Sequence, residues 1–175
     1  MKKAAIVLIA GIVWVQGAVQ AAGSLEPLRF LVGTWDATGT GSPGQGAGQY
    51  TFREINQGKA LLRMSYAEHP ATKDAPASRH TDTMIVYHEG SAWRGDYCDS
   101  EGHAIHYRID VPEPGTAVFL SDSLPGAPRY RLTYRAHAGA MDGAFDIAGP
   151  GGAEFKNYLS WSARKSVAGT GVPGR

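Results

Sequence analysis

From Gly33 onward no window of this sequence sustains a helical period. Short alternating stretches rich in Tyr, Thr, Val, Ile and Trp recur instead, each stopped by Gly or Pro. Ten such stretches can be delimited: 33–41, 48–56, 59–68, 79–87, 91–99, 103–111, 116–122, 129–136, 141–148 and 154–164. Between them stand Gln57-Gly58, Glu89-Gly90, Glu101-Gly102, Pro114-Gly115, Pro125-Gly126, Gly139 and Gly149-Pro150-Gly151-Gly152. Strands at that spacing leave no room for crossover helices, so the chain reads as all-β and antiparallel, a sandwich or an up-and-down barrel. Ahead of the strands, Leu25, Leu28, Phe30 and Leu31 suit a short helical turn, with Pro27 tolerated near its start.

One hairpin can be read residue by residue. In "DYCDSEGHAIHY", Ser100-Glu101-Gly102 suits a three-residue loop with Gly102 in the left-handed conformation. Asp99 then faces His103, and the ladder pairs Tyr97 with Ile105, Gly95 with Tyr107 and Trp93 with Ile109. The opposite face pairs Asp96 with His106 and Arg94 with Arg108. A two-residue loop would mix apolar and charged residues on both faces, which favours the first register.

The same parity, extended along the chain, predicts an inward face of Trp35, Tyr50, Phe52, Leu62, Met64, Tyr66, Ile85, Tyr87, Trp93, Tyr97, Ile105, Tyr107, Ile109, Val118, Leu120, Tyr130, Leu132, Tyr134, Phe145, Ile147, Phe155, Leu159 and Trp161. Arg53, Arg63, Arg94, Asp96, His106, Arg108, Arg129, Arg131, Arg135, Asp142 and Asp146 fall outside. Seven of the eight tyrosines, all but Tyr158, then point inward. A core made only of packing would sooner use Phe, Leu and Ile, because a buried hydroxyl wants a partner. Either the interior is wet or ligand-bearing, or these hydroxyls sit at the ends of the sheet and touch solvent.

The N-terminus reads as an export signal. Lys2 and Lys3 are followed by an apolar run from Ala4 to Val15 and by small residues up to Ala22, which places cleavage after Ala21. The run is shorter than the roughly 20 residues needed to span a bilayer, and no later stretch is long enough. The organisation expected is therefore a signal peptide at 1–21, a single domain at 25–165 and a tail at 166–175, in the periplasm or outside the cell. Loss of the two lysines takes the formal charge from +1 to −1. That balance argues against nucleic acid as a partner. Cys98 is the only cysteine, so no intrachain disulfide can help the core.

Phe30-Leu31-Val32-Gly33-Thr34-Trp35, followed by Ala37-Thr38-Gly39, resembles the first strand of the calycin superfamily: lipocalins, fatty-acid-binding proteins and nitrobindin-like barrels. The resemblance implies a closed barrel of about ten strands in which Trp35 plugs one end and Gly33 lets the first strand bend. The signal, "FLVGTW", the "W…DSEG" hairpin and the last aromatic strand are similar to exported bacterial members of that superfamily, whose fold implies little about function. Two family features are missing. The last strand, Leu159-Ser160-Trp161-Ser162-Ala163-Arg164, lacks the Arg-x-Tyr clamp that holds a fatty-acid carboxylate. The last histidine, His137, sits at a turn, which speaks against haem.

Chemistry-bearing motifs are sparse. On a strand, His103-x-x-His106 sends its two imidazoles to opposite faces, and His80-x-Asp82 has usable spacing but no third ligand in sequence, so no metal site and no cofactor are expected. Cys98 has no basic partner to activate it. His103 beside Asp99, with Tyr97 and Tyr107 near, is the one acid–base constellation, and it serves equally as a hydrogen-bonded turn end. The chain thus reads as a binding protein for a small apolar or aromatic molecule held by Tyr66, Tyr87, Trp93, Tyr97, His103, Tyr107, Tyr130 and Tyr134. The alternatives are a packed envelope scaffold, and a barrel isomerase or lyase working through His103 and Asp99.

Overall fold

Every one of the ten alternating stretches forms a strand in the computed structural model, which describes residues 24–41 and 44–166. They are β1 (Gly33–Gly41), β2 (Gly46–Ile55), β3 (Ala60–His69), β4 (Ser78–Glu89), β5 (Ala92–Asp99), β6 (Ala104–Glu113), β7 (Thr116–Ser121), β8 (Arg129–His137), β9 (Ala140–Ala148) and β10 (Lys156–Lys165). Each strand pairs antiparallel with its neighbours in sequence, and β1 pairs with β10, so the sheet closes into a barrel without edges. The expected signal segment 1–21, and the tail apart from Ser166, lie outside the described residues. No helix among the described residues is long and apolar enough to cross a membrane.

The two ends of the barrel differ. At one end the chain turns tightly, through residues 90–91, 114–115 and 138–139, and the 3₁₀ turn Glu26–Leu31 lies across the opening. Leu28 and Leu31 are fully buried there, with Leu25 and Trp35 nearly so. The Trp35 indole donates from Nε1 to the Leu31 carbonyl at 2.9 Å and stacks on Tyr50, tying turn to wall. Gly33 has φ +135°, a value that a residue with a side chain rarely adopts, so the chain can swing from turn to strand at that point. Beneath the turn, Phe52, Leu61, Met84, Val86, Ala117, Phe119 and Met141 pack without solvent contact. At the opposite end the connections 70–77, 122–128 and 149–155 are longer, and the interior is not filled.

The β5–β6 hairpin has the register read from sequence: Trp93 with Ile109, Gly95 with Tyr107, Tyr97 with Ile105, Asp96 with His106 and Arg94 with Arg108. Gly102 has φ +89°, as the bulged loop requires. The like-charged Arg94 and Arg108 coexist because Arg94 turns to Asp122 at 2.7 Å, while Arg108 lies toward Asp110.

The face assignment is wrong on three strands. On β3, Leu61, Arg63 and Ser65 point inward, and Leu62, Met64 and Tyr66 outward, with Met64 55% exposed. On β4 the inward set is His80, Asp82, Met84 and Val86, while Ile85 and Tyr87 face out and Tyr87 donates to Asp96 at 3.0 Å. On β7 Ala117, Phe119 and Ser121 are inside, in place of Val118 and Leu120. Apolar residues occupy both parities of these strands, so alternation alone does not choose, and register with the neighbours decides. Phe155 precedes β10 and lies beneath the Arg131 guanidinium. Five tyrosines therefore face the interior, Tyr50, Tyr97, Tyr107, Tyr130 and Tyr134, and not seven.

Candidate functional site

The unfilled half of the barrel is a cup of about 510 Å³, within the range of small-molecule sites. Its lining divides by strand. On β8, β9 and β10, Tyr130, Leu132, Phe145, Ile147, Leu159 and Trp161 form an apolar wall. Tyr130 and Phe145 stack with centroids 5.7 Å apart, and Tyr158, at the bulge that interrupts β10, meets Phe145 edge-on at the mouth. Across the ring, β3, β4, β5 and the loop after β5 supply Arg63, Ser65, His80, Asp82, Tyr97, Asp99, Glu101 and His103.

This polar wall is one connected network. Asp82 on β4 is paired with Arg63 on β3 and accepts a hydrogen bond from the Ser65 hydroxyl at 2.5 Å. Both members of the ion pair are buried, and the pair lies at the level where the packed half meets the cup. Burial alone would raise the Asp82 carboxyl. Arg63 beside it, with the His80 imidazole nearby and the Ser65 hydrogen bond, outweighs burial and holds it below the usual carboxylate range.

His80, next outward on β4, places Nε2 3.2 Å from the Tyr97 hydroxyl and 3.6 Å from Asp82, and Nδ1 3.2 Å from Glu101 Oε1. The Asp82 carboxylate beside it raises its imidazole to about 9, against burial and with help from Glu101.

Tyr97 in turn donates to Asp99 Oδ2 at 3.1 Å. Asp99 closes the β5–β6 turn: it accepts from the backbone N–H groups of Glu101 and His103 at 2.9 and 3.0 Å, and its Oδ2 is 2.9 Å from His103 Nδ1. Burial opposes ionisation of Asp99, but these donors outweigh it and hold its carboxyl low. Burial pushes the hydroxyls of Tyr97 and Tyr107 upward, with Asp82 and Asp99 adding to the effect on Tyr97, so both remain protonated donors. On the cup floor the Tyr50 hydroxyl, Arg63 Nε and Trp161 Nε1 are buried donors without a protein hydrogen-bond partner among the described residues.

The eight tyrosine, tryptophan and histidine residues expected to hold a ligand separate into four groups. Tyr97, Tyr107, Tyr130 and His103 line the cup, His103 at its rim with 59% of its side chain exposed. Tyr66 reaches the rim from the outer parity of β3, with the Arg79 guanidinium 4.5 Å over its ring. Tyr87 lies on the outer surface, and Trp93, below the cup, packs against His88. Tyr134 is fully buried beneath the floor, where burial raises its hydroxyl to about 12 and Tyr50, Phe52, Phe119 and Trp161 surround it.

Sequence reasoning placed Arg63 outside, missed Ser65, and set His80-x-Asp82 aside for want of a third ligand. The signal available was a pair of period-two polar spacings, Arg63-x-Ser65 and His80-x-Asp82, on adjacent strands.

No protein-family model matches the chain. No curated protein matches it either. Among solved structures, the chain is similar in strand arrangement to a de novo designed fluorescence-activating β-barrel, at 11% sequence identity over 79% of this chain and 95% of that one, with a TM-score of 0.41.

Proposed function

We propose that this barrel binds a small aromatic molecule that is apolar on one side and hydrogen-bonding on the other. The observation that carries the reading is the two-sided lining of the cup. A planar ligand lying against Tyr130 and Phe145 would turn its opposite edge to Tyr97, His80 and Asp99. Aromatic contact supplies affinity, and the ordered polar wall supplies orientation. A packed scaffold has no use for a lining of this kind. The Gly33-x-Trp35 start supports counting the chain among calycin-like barrels, and Lys2-Lys3 with the apolar run after them supports export.

Titration with a neutral dialkylaminonaphthyl ketone dye tests the proposal, with dye emission and Trp161 quenching as readouts. One dye per chain should bind with blue-shifted emission. Phe145→Ala should weaken it about tenfold, the scale of one lost buried aromatic contact. Dye binding that is unchanged in Phe145→Ala, or absence of binding by every member of a panel of aromatic amphiphiles, would overturn the reading.

A further inference from the structure

The hydrogen bonds at the cup mouth leave a contradiction that a proton or a metal ion must resolve. Tyr97 has one hydroxyl proton, and it is donated to the Asp99 carboxylate. The contact between Tyr97 and His80 Nε2 at 3.2 Å can then be a hydrogen bond only if Nε2 carries the hydrogen. In neutral His80 that leaves Nδ1 with a lone pair, and Nδ1 faces a Glu101 carboxylate oxygen at 3.2 Å. Two acceptors at that distance repel unless a cation lies between them. The carboxylates Asp82, Asp99 and Glu101 are gathered around one permanent cation, Arg63, which is committed to Asp82, and two imidazoles, His80 and His103, the latter 2.9 Å from Asp99.

The geometry points to a divalent transition-metal site formed by His80 Nδ1, an Asp99 oxygen and a Glu101 oxygen, at the mouth of the cup. Donor atoms of these three residues lie within 4.8 Å of one another. Around a tetrahedral ion with bonds of about 2.0–2.2 Å, donors stand roughly 3.3–3.6 Å apart. His80 Nδ1 and Glu101 Oε1 already stand 3.2 Å apart, so the remaining approach is that of the Asp99 carboxylate.

What lies behind His80 has the arrangement expected of a metal-bound imidazole. Its second nitrogen faces Tyr97 and the Asp82 carboxylate, and Asp82 is itself held by Arg63 and Ser65. That backing selects the tautomer that presents Nδ1 to the mouth. An imidazole with two carboxylates suits Zn²⁺ or a neighbouring first-row ion better than Ca²⁺, which prefers an all-oxygen shell. Three protein donors leave a fourth position, and because all three residues line the cup, that position opens toward it. On sequence spacing alone His80-x-Asp82 lacked a third ligand; the barrel brings two, Asp99 and Glu101, from the neighbouring hairpin and uses Asp82 as the backing group.

The test is calorimetric titration of the full chain, stripped with chelator, with Zn²⁺ alone, together with the visible spectrum of the Co²⁺ form. One ion per chain is expected, with Ca²⁺ showing no competition. Glu101→Gln should weaken Zn²⁺ at least tenfold and alter the Co²⁺ spectrum. Asp82→Asn, which keeps all three donors and alters the group behind His80, should weaken it about 10–100-fold without changing stoichiometry. His106→Gln on the outer face should leave binding unchanged, which separates this site from ordinary surface histidines. Thermal unfolding without metal checks that each variant folds. Absence of stoichiometric binding by the wild type, or an unchanged affinity in folded Glu101→Gln, would overturn the inference and show that a proton on His80 bridges the two groups instead. The measurement contains no organic ligand, so its outcome is independent of what occupies the cup.

Discussion

Replacing Arg63 with methionine would leave Asp82 buried beside no permanent cation. Loss of one member of a buried pair costs about 3–5 kcal/mol, whereas replacing both members by apolar residues is often neutral or better. Arg63→Met should therefore lower the denaturation midpoint sharply, and Arg63→Met with Asp82→Leu should regain most of the loss. A double variant no more stable than the single one would show that the pair holds the wall by geometry and not by charge.

Glycines give a second residue-scale test. A Cβ on Gly143 would lie 2.0 Å from the Trp161 ring, so the indole occupies the place of a side chain on β9, whereas a Cβ on Gly95 would meet Ile109 and Met84 at 3.4 Å. Gly143→Ala should destabilise by about 1–3 kcal/mol or more through overpacking and shift the Trp161 emission. Gly95→Ala should do far less by the same measurements.

At the scale of elements, the strands were legible because each carries local punctuation, and the β5–β6 hairpin because its register follows from a four-residue span. The same locality made the His103–Asp99 contact readable. The faces of β3, β4 and β7 were not readable, since Leu61 beside Leu62, Ile85 beside Val86 and Val118 beside Phe119 offer apolar residues to either side. Hence Arg63 was placed outside, and the network it anchors escaped notice. His80 meets Tyr97 and Glu101 only through pairing of β4 with β5, a contact that no single stretch of chain encodes.

The turn itself is testable. Gly102 holds φ +89°, and an alanine there should cost about 1–2 kcal/mol. It should also perturb the amide resonances of Glu101 and His103, whose N–H groups bind Asp99. Unchanged resonances would mean that the loop tolerates another backbone path.

Taken whole, the molecule sets a packed half, sealed by a 3₁₀ turn and short loops, against an unfilled half bordered by longer ones. Side chains that hold the barrel together, such as Leu28, Phe52 and Phe119, thus lie away from those that line the cup, so cup residues can change without loosening the packed half. Charged side chains such as Arg53 and Arg108 stand in solvent on the outer surface, unlike the apolar band of a membrane barrel.

Pairing of β1 with β10 also fixes where the chain can be cut. The Ser166 backbone N–H donates to Thr34 at 2.8 Å, so the end of the last strand lies beside the start of the first, while the 70–77 connection is exposed throughout. Strand order around a closed ring does not depend on where counting begins. A circular permutant with a short linker from Ser166 to Ser24 and new termini within 70–77 should fold to the same ring, as far-ultraviolet circular dichroism and dye binding would report. Those new termini would stand at the cup's rim, so a peptide or reporter attached there would be carried next to whatever the barrel holds.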